Sequence, residues 1–255
     1  MTVVPRRSVL TGLAGLPLAA VLADPRLAAA AAEGLEEVTM TIPSGKTVRA
    51  ALAVPAATPA PAVMLIHEWW GLNDQIKAVA AEFANQGFLG LAVDLYDGKV
   101  ATTPDDAQAY MNGVDPAIAT EALVGWIGWL KADSRSTGKV GTVGWCFGGG
   151  WSLNASIAAP VDATVVYYGR VDRSAEDLAK LQGPVLGHFA EQDQWINHDM
   201  VAGFEKNMQL AGKALEVHWY DANHAFANPT GDNYRKPEAE LAWTRTVEFL
   251  KKTLT

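Results

Sequence analysis

Six short strand-like runs recur along this chain: Ala62 to Ile66, Leu89 to Val93, Val140 to Val143, Ala163 to Tyr168, Val185 to Phe189 and Leu215 to Tyr220. Most are apolar at nearly every position, as strands buried on both faces must be, and parallel strands also need a long crossover between them. Helical character fills the gaps at Ile76 to Gln86, Ala117 to Lys131, Trp151 to Ala158 and Met200 to Ala211, and closes the chain at Glu238 to Leu254. Ahead of these, Glu37 to Ile42 and Thr47 to Val54 flank Pro43-Ser44-Gly45, which predicts an antiparallel hairpin. The pattern predicts an α/β fold: a mostly parallel central sheet with helices on both faces and an N-terminal antiparallel hairpin. At 255 residues and 49% hydrophobic content, the chain suits one such domain.

Residues 1–32 stand apart from this pattern. Arg6-Arg7 precede an apolar stretch from Val9 to Leu22, and the run Ala28 to Ala32 offers the small residues cleaved behind an export leader. The arginine pair fits the twin-arginine route. A membrane anchor is the competing reading, but the apolar stretch is short for a span and ends at Asp24-Pro25. The expectation is a cleaved leader over 1–32, a mature domain over 33–255, and an exported protein, periplasmic or secreted. A formal charge of −8 without a basic run lacks the footprint of a nucleic-acid binder. A monomer is expected. The only cysteine is Cys146, so no intramolecular disulfide forms and stability rests on the core.

That cysteine lies in Gly144-Trp145-Cys146-Phe147-Gly148, between the run ending at Val143 and the helical segment from Trp151. The pattern G-x-nucleophile-x-G marks a sharp strand-to-helix turn that lifts one side chain clear. A lone cysteine is more often a small apolar filler, but this position gives it a chemical reading. A thiol nucleophile needs a base and a group that orients the base, and hydrolases of this layout supply acid and then histidine downstream. Asp193 follows the run ending at Phe189, and His224 follows the run ending at Tyr220. His188 and His218 lie inside strand-like runs and read as structural, while Asp221 is a turn residue or a rival acid.

After Ile66 comes His67-Glu68-Trp69-Trp70-Gly71, where such a fold places an oxyanion donor. The backbone N–H groups of Phe147 and Trp69 are the expected pair. His67-Glu68 without a further matching histidine is no zinc motif, and neither metal nor organic cofactor is called for. Trp70, Tyr96, Trp145, Trp195 and Phe226 flank these loops and are candidates for lining a substrate pocket.

Taken in order, His67-Glu68-Trp69-Trp70-Gly71, Asp94-Leu95-Tyr96, Gly144-Trp145-Cys146-Phe147-Gly148-Gly149, Glu191-Gln192-Asp193 and His224-Ala225-Phe226 resemble the dienelactone hydrolase family, the carboxymethylenebutenolidase-like branch of the α/β-hydrolases. The resemblance spans roughly Glu37 to Leu254 and implies a carboxylic ester hydrolase that opens small ester or lactone substrates with a Cys146-His224-Asp193 triad. It also implies that Glu68 controls the activation of the thiol. A carboxylate beside a thiolate disfavours it, while an imidazolium favours it, so where Glu68 points governs the charge on Cys146. Dienelactone hydrolases proper bind a substrate carboxylate with arginines after D-L-Y and beyond the histidine. Here those segments read Asp97-Gly98-Lys99 and Ala227-Asn228-Pro229, which leaves the substrate open and Lys99 as a partial replacement or a surface residue. The rival readings are an esterase, thioesterase or deacetylase with the same triad, and a non-catalytic or redox-sensing protein on the same fold.

Overall fold

The protein is described here by a computed structural model covering residues 17–255. The arginine pair Arg6-Arg7 and most of the apolar stretch behind it lie outside the described residues. Two short helices come first, α1 (Leu18–Ala23) and α2 (Pro25–Ala32), followed by the hairpin β1 (Glu36–Thr41) and β2 (Thr47–Ala53). The chain continues through β3 (Ala60–Ile66), α3 (Asp74–Asn85), β4 (Leu89–Val93), α4 (Pro104–Asn112), α5 (Pro116–Ala132) and β5 (Ser136–Trp145). It ends with α6 (Phe147–Ala158), β6 (Ala163–Tyr167), α7 (Ala175–Leu178), β7 (Val185–Ala190), α8 (His198–Leu210), β8 (Leu215–Tyr220) and α9 (Lys236–Leu254). Among the described residues no helix is long and apolar enough to cross a membrane.

The eight strands form one sheet in the order β1-β2-β4-β3-β5-β6-β7-β8. The β1–β2 and β2–β4 pairs are antiparallel and the rest are parallel. Successive residues of a strand face opposite sides, so each strand feeds two cores. Val63 and Leu65 of β3 join one with α3 and α9, while Ala62, Met64 and Ile66 join the other with α5 and α6. Val166 extends that second face toward α8.

The register places the functional loops in a row. Ile66 pairs with Val93 and Gly144, Trp145 with Tyr167, Tyr167 with His188, and Ala190 with Tyr220. The carboxyl ends of these strands therefore lie along one edge, where open α/β sheets bind ligands.

The described part of the segment expected to be a leader is helical. Residues 18–32 form a helical hairpin whose second helix packs on α3, with Val21, Leu22, Ala28 and Ala31 buried in the α3/α9 core. An apolar run gains the same burial against a protein face as in any other apolar environment, so its composition does not separate the two fates. Beyond that hairpin, two further helices went unforeseen, α4 and α7. In α4 only Ala107 is buried, so apolar periodicity is weak, and Thr103 accepting from Asp106 N–H with Pro104 next to it marks the start.

Candidate active site

Cys146 has φ 53° and ψ −117°, a left-handed conformation that costs a non-glycine residue about 1–3 kcal/mol. The surrounding main chain imposes it. Cys146 N–H donates to Tyr167 O at 3.0 Å, and its carbonyl accepts from Gly149 and Gly150 at 3.0 and 3.3 Å. Side chains would prevent this approach: a Cβ on Gly148 would lie 2.1 Å from Ile66 O, and one on Gly149 would lie 2.8 Å from Gly169 Cα. Tyr168 at φ 36° and Ala225 at φ 64° are also left-handed, so three of the described non-glycine residues with positive φ are a nucleophile candidate and two neighbours of its partners.

His224 Nδ1 lies 2.6 Å from Asp193 Oδ2. The other carboxylate oxygen accepts from the N–H groups of Trp195 and Ile196 at 2.9 and 3.0 Å, so Asp193 is held at the entrance to α8. The two loops are laced together, with Glu191 N–H donating to Tyr220 O and Gln192 N–H to Ala222 O. Burial pushes the Asp193 carboxyl up, but the His224 bond and charge and the two backbone donors outweigh it and hold the group below its ordinary value. Burial likewise opposes charging of His224, yet the Asp193 bond and the neighbouring Cys146 push the imidazole up to about 10. Half-buried Cys146 thus has an imidazolium-favouring partner beside it. Asp221, the rival acid, accepts instead from Gln192 Nε2 at 2.8 Å.

Glu68 is buried and accepts from Asn228 Nδ2 at 2.7 Å and from the Tyr168 hydroxyl at 3.2 Å. Burial raises its carboxyl above the ordinary value, against the opposing pull of Asn228, His224 and Tyr168. Sequence reasoning missed Tyr168 and the use of Asn228. Tyr168 was assigned to the strand, although it is the first residue past the end of β6 and so belongs to the row of loops. His67 is a tether: Leu95 N–H donates to its Nε2 at 3.2 Å, which leaves Nδ1 to donate to Glu68 O at 2.6 Å. Burial lowers its pKa, so the ring is neutral. His188, between the Tyr220 hydroxyl and Thr246, is equally structural.

The N–H of Phe147 opens α6 and has no intrahelical acceptor. In the turn after His67 the carbonyl of Glu68 is taken by Gly71 N–H, and Trp69 N–H has no backbone acceptor among the described residues. Both are free to donate to a ligand. Among the described residues no group of three or more His, Cys, Asp and Glu side chains is set to hold a metal ion.

The five aromatic candidates separate. Trp195 is 69% exposed, with its ring 5.1 Å from His224. Tyr96 packs edge-on to His67 and against Phe147, its hydroxyl buried without a partner among the described residues. Trp70 packs edge to face against Trp69 beside it. Phe226, by contrast, is fully buried between Tyr168 and Tyr220, because the turn at Ala225 sends it into the core; it backs the site and lines no pocket. Trp145 alternates away from Cys146 and stacks on Tyr167, facing a cavity on the α3/α9 side of the sheet. That cavity measures about 320 Å³ and reaches Glu68, Tyr168 and Asn228. Lys99 sits over the Tyr110 ring at 5.4 Å, in a second cavity near Tyr96.

The sequence profile of the dienelactone hydrolase family matches residues 48–254. Protein usf of Aquifex pyrophilus is 34% identical over 225 residues, covering 83% of this chain and 96% of that protein. A carboxymethylenebutenolidase of Pseudomonas putida is 29% identical over 221 residues, covering 81% of this chain and 92% of that protein. Among solved structures, a dienelactone hydrolase-like promiscuous phosphotriesterase from metagenomic libraries aligns with a TM-score of 0.79 at 21% identity, over 87% of this chain and 99% of that one, a likeness of fold. With a profile match across most of its length and a relative above 30% identity, the chain belongs to the dienelactone hydrolase family, carboxylic ester hydrolases on the α/β-hydrolase fold.

Proposed function

We propose that this chain hydrolyses ester or lactone bonds through a covalent acyl-thiol intermediate on Cys146, with His224 as base and Asp193 as the group that orients it. The observation that carries the reading is the 2.6 Å His224–Asp193 bond beside a cysteine held in a strained turn. His224 takes the thiol proton, the sulfur attacks the carbonyl carbon, and the carbonyl π pair moves to oxygen, where the Phe147 and Trp69 N–H groups receive it. The intermediate collapses by breaking the C–O bond, and the alkoxide leaves with the proton from His224. Water then gives a proton to His224 and attacks the thioester, and the acid departs as sulfur regains its proton. Asp193 fixes Nδ1 as the protonated nitrogen and stabilises the imidazolium.

Glu68 modulates the thiol in this scheme. Ionised, it opposes a second negative charge nearby, and held by Asn228 and Tyr168 it stays in place until substrate disturbs it. Alkylation of Cys146 by iodoacetamide is expected to be faster in Glu68→Gln above neutral pH, and equal rates across pH would remove this role. The P. putida relative is named for lactone cleavage, but the absence of arginine at Lys99 and Asn228 argues for a different substrate. A panel of p-nitrophenyl esters and unsaturated lactones tests the reading with wild type, Cys146→Ser and His224→Ala. A Cys146→Ala protein with full activity would overturn it, and a mass increment of one acyl group on Cys146 would support it.

Export by the twin-arginine route belongs to the same reading, on the strength of Arg6-Arg7 and the alanine run. The N-terminal sequence of protein recovered outside the cytoplasm tests it; an intact Met1 there would refute cleavage.

A further inference from the structure

We propose that Thr230 is a positioning residue for the thiol chemistry: it fixes which way the Asn228 amide faces, so that Asn228 donates to Glu68 and holds that carboxylate in its restraining place. This rests on the reading of Glu68 as modulator of the thiol and adds the group that sets the modulator.

A continuous run of polar contacts carries it. Asn228 Nδ2 donates to Glu68 Oε2 at 2.7 Å, the shorter of the two side-chain bonds on that carboxyl. At the other end of the amide, Asn228 Oδ1 accepts from the Thr230 N–H at 3.0 Å and from the Thr230 hydroxyl at 2.9 Å. That hydroxyl accepts in turn from Gln75 Nε2 of α3 at 3.1 Å, which leaves its one proton for Asn228. Gln75 turns its second amide hydrogen to Leu22 O at 3.2 Å, so its bond to Thr230 does not depend on the N-terminal hairpin. The main chain of Asn228 is tied within the same loop, its N–H donating to Ala225 O at 3.0 Å and its carbonyl accepting from Gly231 N–H at 3.1 Å. Pro229, between the two residues, has a fixed φ and no N–H, which stiffens the turn. Thr230 itself is exposed, so replacing it empties no core space.

An asparagine needs this arrangement where an arginine would not. A guanidinium carries only donors, but a half-turn about the last side-chain bond of asparagine exchanges its oxygen and its NH2 group. Facing the wrong way, Asn228 would set an acceptor against an ionised Glu68, which itself can only accept. The Thr230 N–H resolves the choice, since a main-chain donor cannot reverse its role. The hold is also independent of Glu68: when substrate draws the carboxylate away, Thr230 keeps the amide hydrogens pointed at the place to which it returns. Loosening the Thr230 end therefore weakens Asn228 as a donor. Glu68 then loses its shorter bond, is ionised over a narrower range of pH, and opposes the thiolate less. The titratable groups that bear on Glu68 are His224, whose charge favours the ionised form, and Tyr168, which donates to it; a change at Thr230 alters neither.

Alkylation tests this apart from hydrolysis, because Cys146 is the only thiol in the chain. Rates with iodoacetamide are measured on the full chain from acid to alkaline buffer. Thr230→Val removes the hydroxyl and is expected to lower the midpoint of the rate profile by about half a pH unit. Thr230→Pro removes the N–H as well and is expected to lower it by about one unit. Thr230→Ser keeps both donors and the wild-type midpoint. In a Glu68→Gln background there is no carboxylate to restrain, so both variants leave the midpoint where Glu68→Gln alone puts it. A general loosening of the loop would instead move both backgrounds alike. A midpoint unmoved or raised by Thr230→Val, Thr230→Pro moving it no further than Thr230→Val, Thr230→Ser following Thr230→Val, or equal shifts in both backgrounds would each overturn the proposal. If a thermal melt shows that Thr230→Pro does not fold, Thr230→Val decides alone. Hydrolysis of p-nitrophenyl acetate is read on the same samples. If wild type cleaves no ester while the midpoint moves only in the presence of Glu68, the hydrolase reading fails and the positioning stands. If cleavage depends on Cys146 and the midpoints coincide, the hydrolase reading stands and Thr230 has no part in it.

Discussion

Replacing Glu68 by glutamine should make the protein more stable, by an amount that grows with pH. The carboxyl is buried, and its pKa lies above the ordinary value near 4.5, first because burial penalises the charge. Between that ordinary value and the raised one, the folded protein keeps a proton that the unfolded chain has already released. Wild-type stability therefore falls as pH rises through this window, by up to about 1.4 kcal/mol per pH unit, and levels off above the folded value. Glutamine removes the titration and keeps the bonds, accepting from Asn228 with its oxygen while its amide donates to the Tyr168 hydroxyl, which can accept as readily as donate. In a domain of this size about 1 kcal/mol moves Tm by about 2–4 °C, so the difference between variant and wild type should widen by up to about 3–6 °C per pH unit inside the window. Paired thermal melts from acid to alkaline buffer measure it, and the Asp193 part of the His224 titration is common to both proteins. A Tm difference that stays constant with pH, or one that favours wild type in alkali, would show that Asn228, Tyr168 and His224 outweigh burial and that Glu68 is an ordinary ionised carboxylate.

Asp193→Asn should keep the fold, since an amide oxygen still accepts from Trp195 and Ile196, and should lower kcat/KM for a neutral ester by about 10²–10⁴-fold through loss of the imidazolium partner. Steady-state kinetics beside a thermal melt separate the two effects. Cys146→Ser should lower turnover by about 10³-fold or more while Tm stays within about 2 °C of wild type. Gly149→Ala should destabilise the protein by about 1–3 kcal/mol, because its Cβ meets Gly169 Cα and Tyr167 O at 2.8 Å, main-chain atoms that cannot move aside alone. Urea unfolding measures this, and an unchanged midpoint would mean that α6 shifts freely on the sheet.

The strands were legible because burial on both faces writes itself into sequence as unbroken apolar runs, and the triad positions followed from asking what lies just past each run. Leu89 to Val93 and Leu215 to Tyr220 have the bounds read from sequence. Strand β5 starts earlier, at Ser136, a start hidden from sequence because residues 136–139 are polar or glycine and partly exposed, while pairing with β3 such as Ala60 with Ser136 holds them in the strand. Side-chain direction was harder to read than position. Trp145 and Phe226 adjoin Cys146 and the His224 loop, yet strand alternation and the left-handed turn at Ala225 send both inward. The partners of Glu68 come from elements 100 and 160 residues away, a distance that local pattern does not span.

The turn at Cys146 is held entirely by main-chain atoms: the carbonyls of Ile66 and Tyr167 around it, and the close glycine contacts of α6. The backbone of the turn therefore makes no demand of its own on which element the apex side chain carries. Sulfur and oxygen are interchangeable as far as those main-chain contacts are concerned, and the choice between a thiol and a hydroxyl falls to the side chain's own packing and reactivity. In this architecture the nucleophile's address is rigid while its identity is a free variable, so a change of chemistry can precede any change of structure.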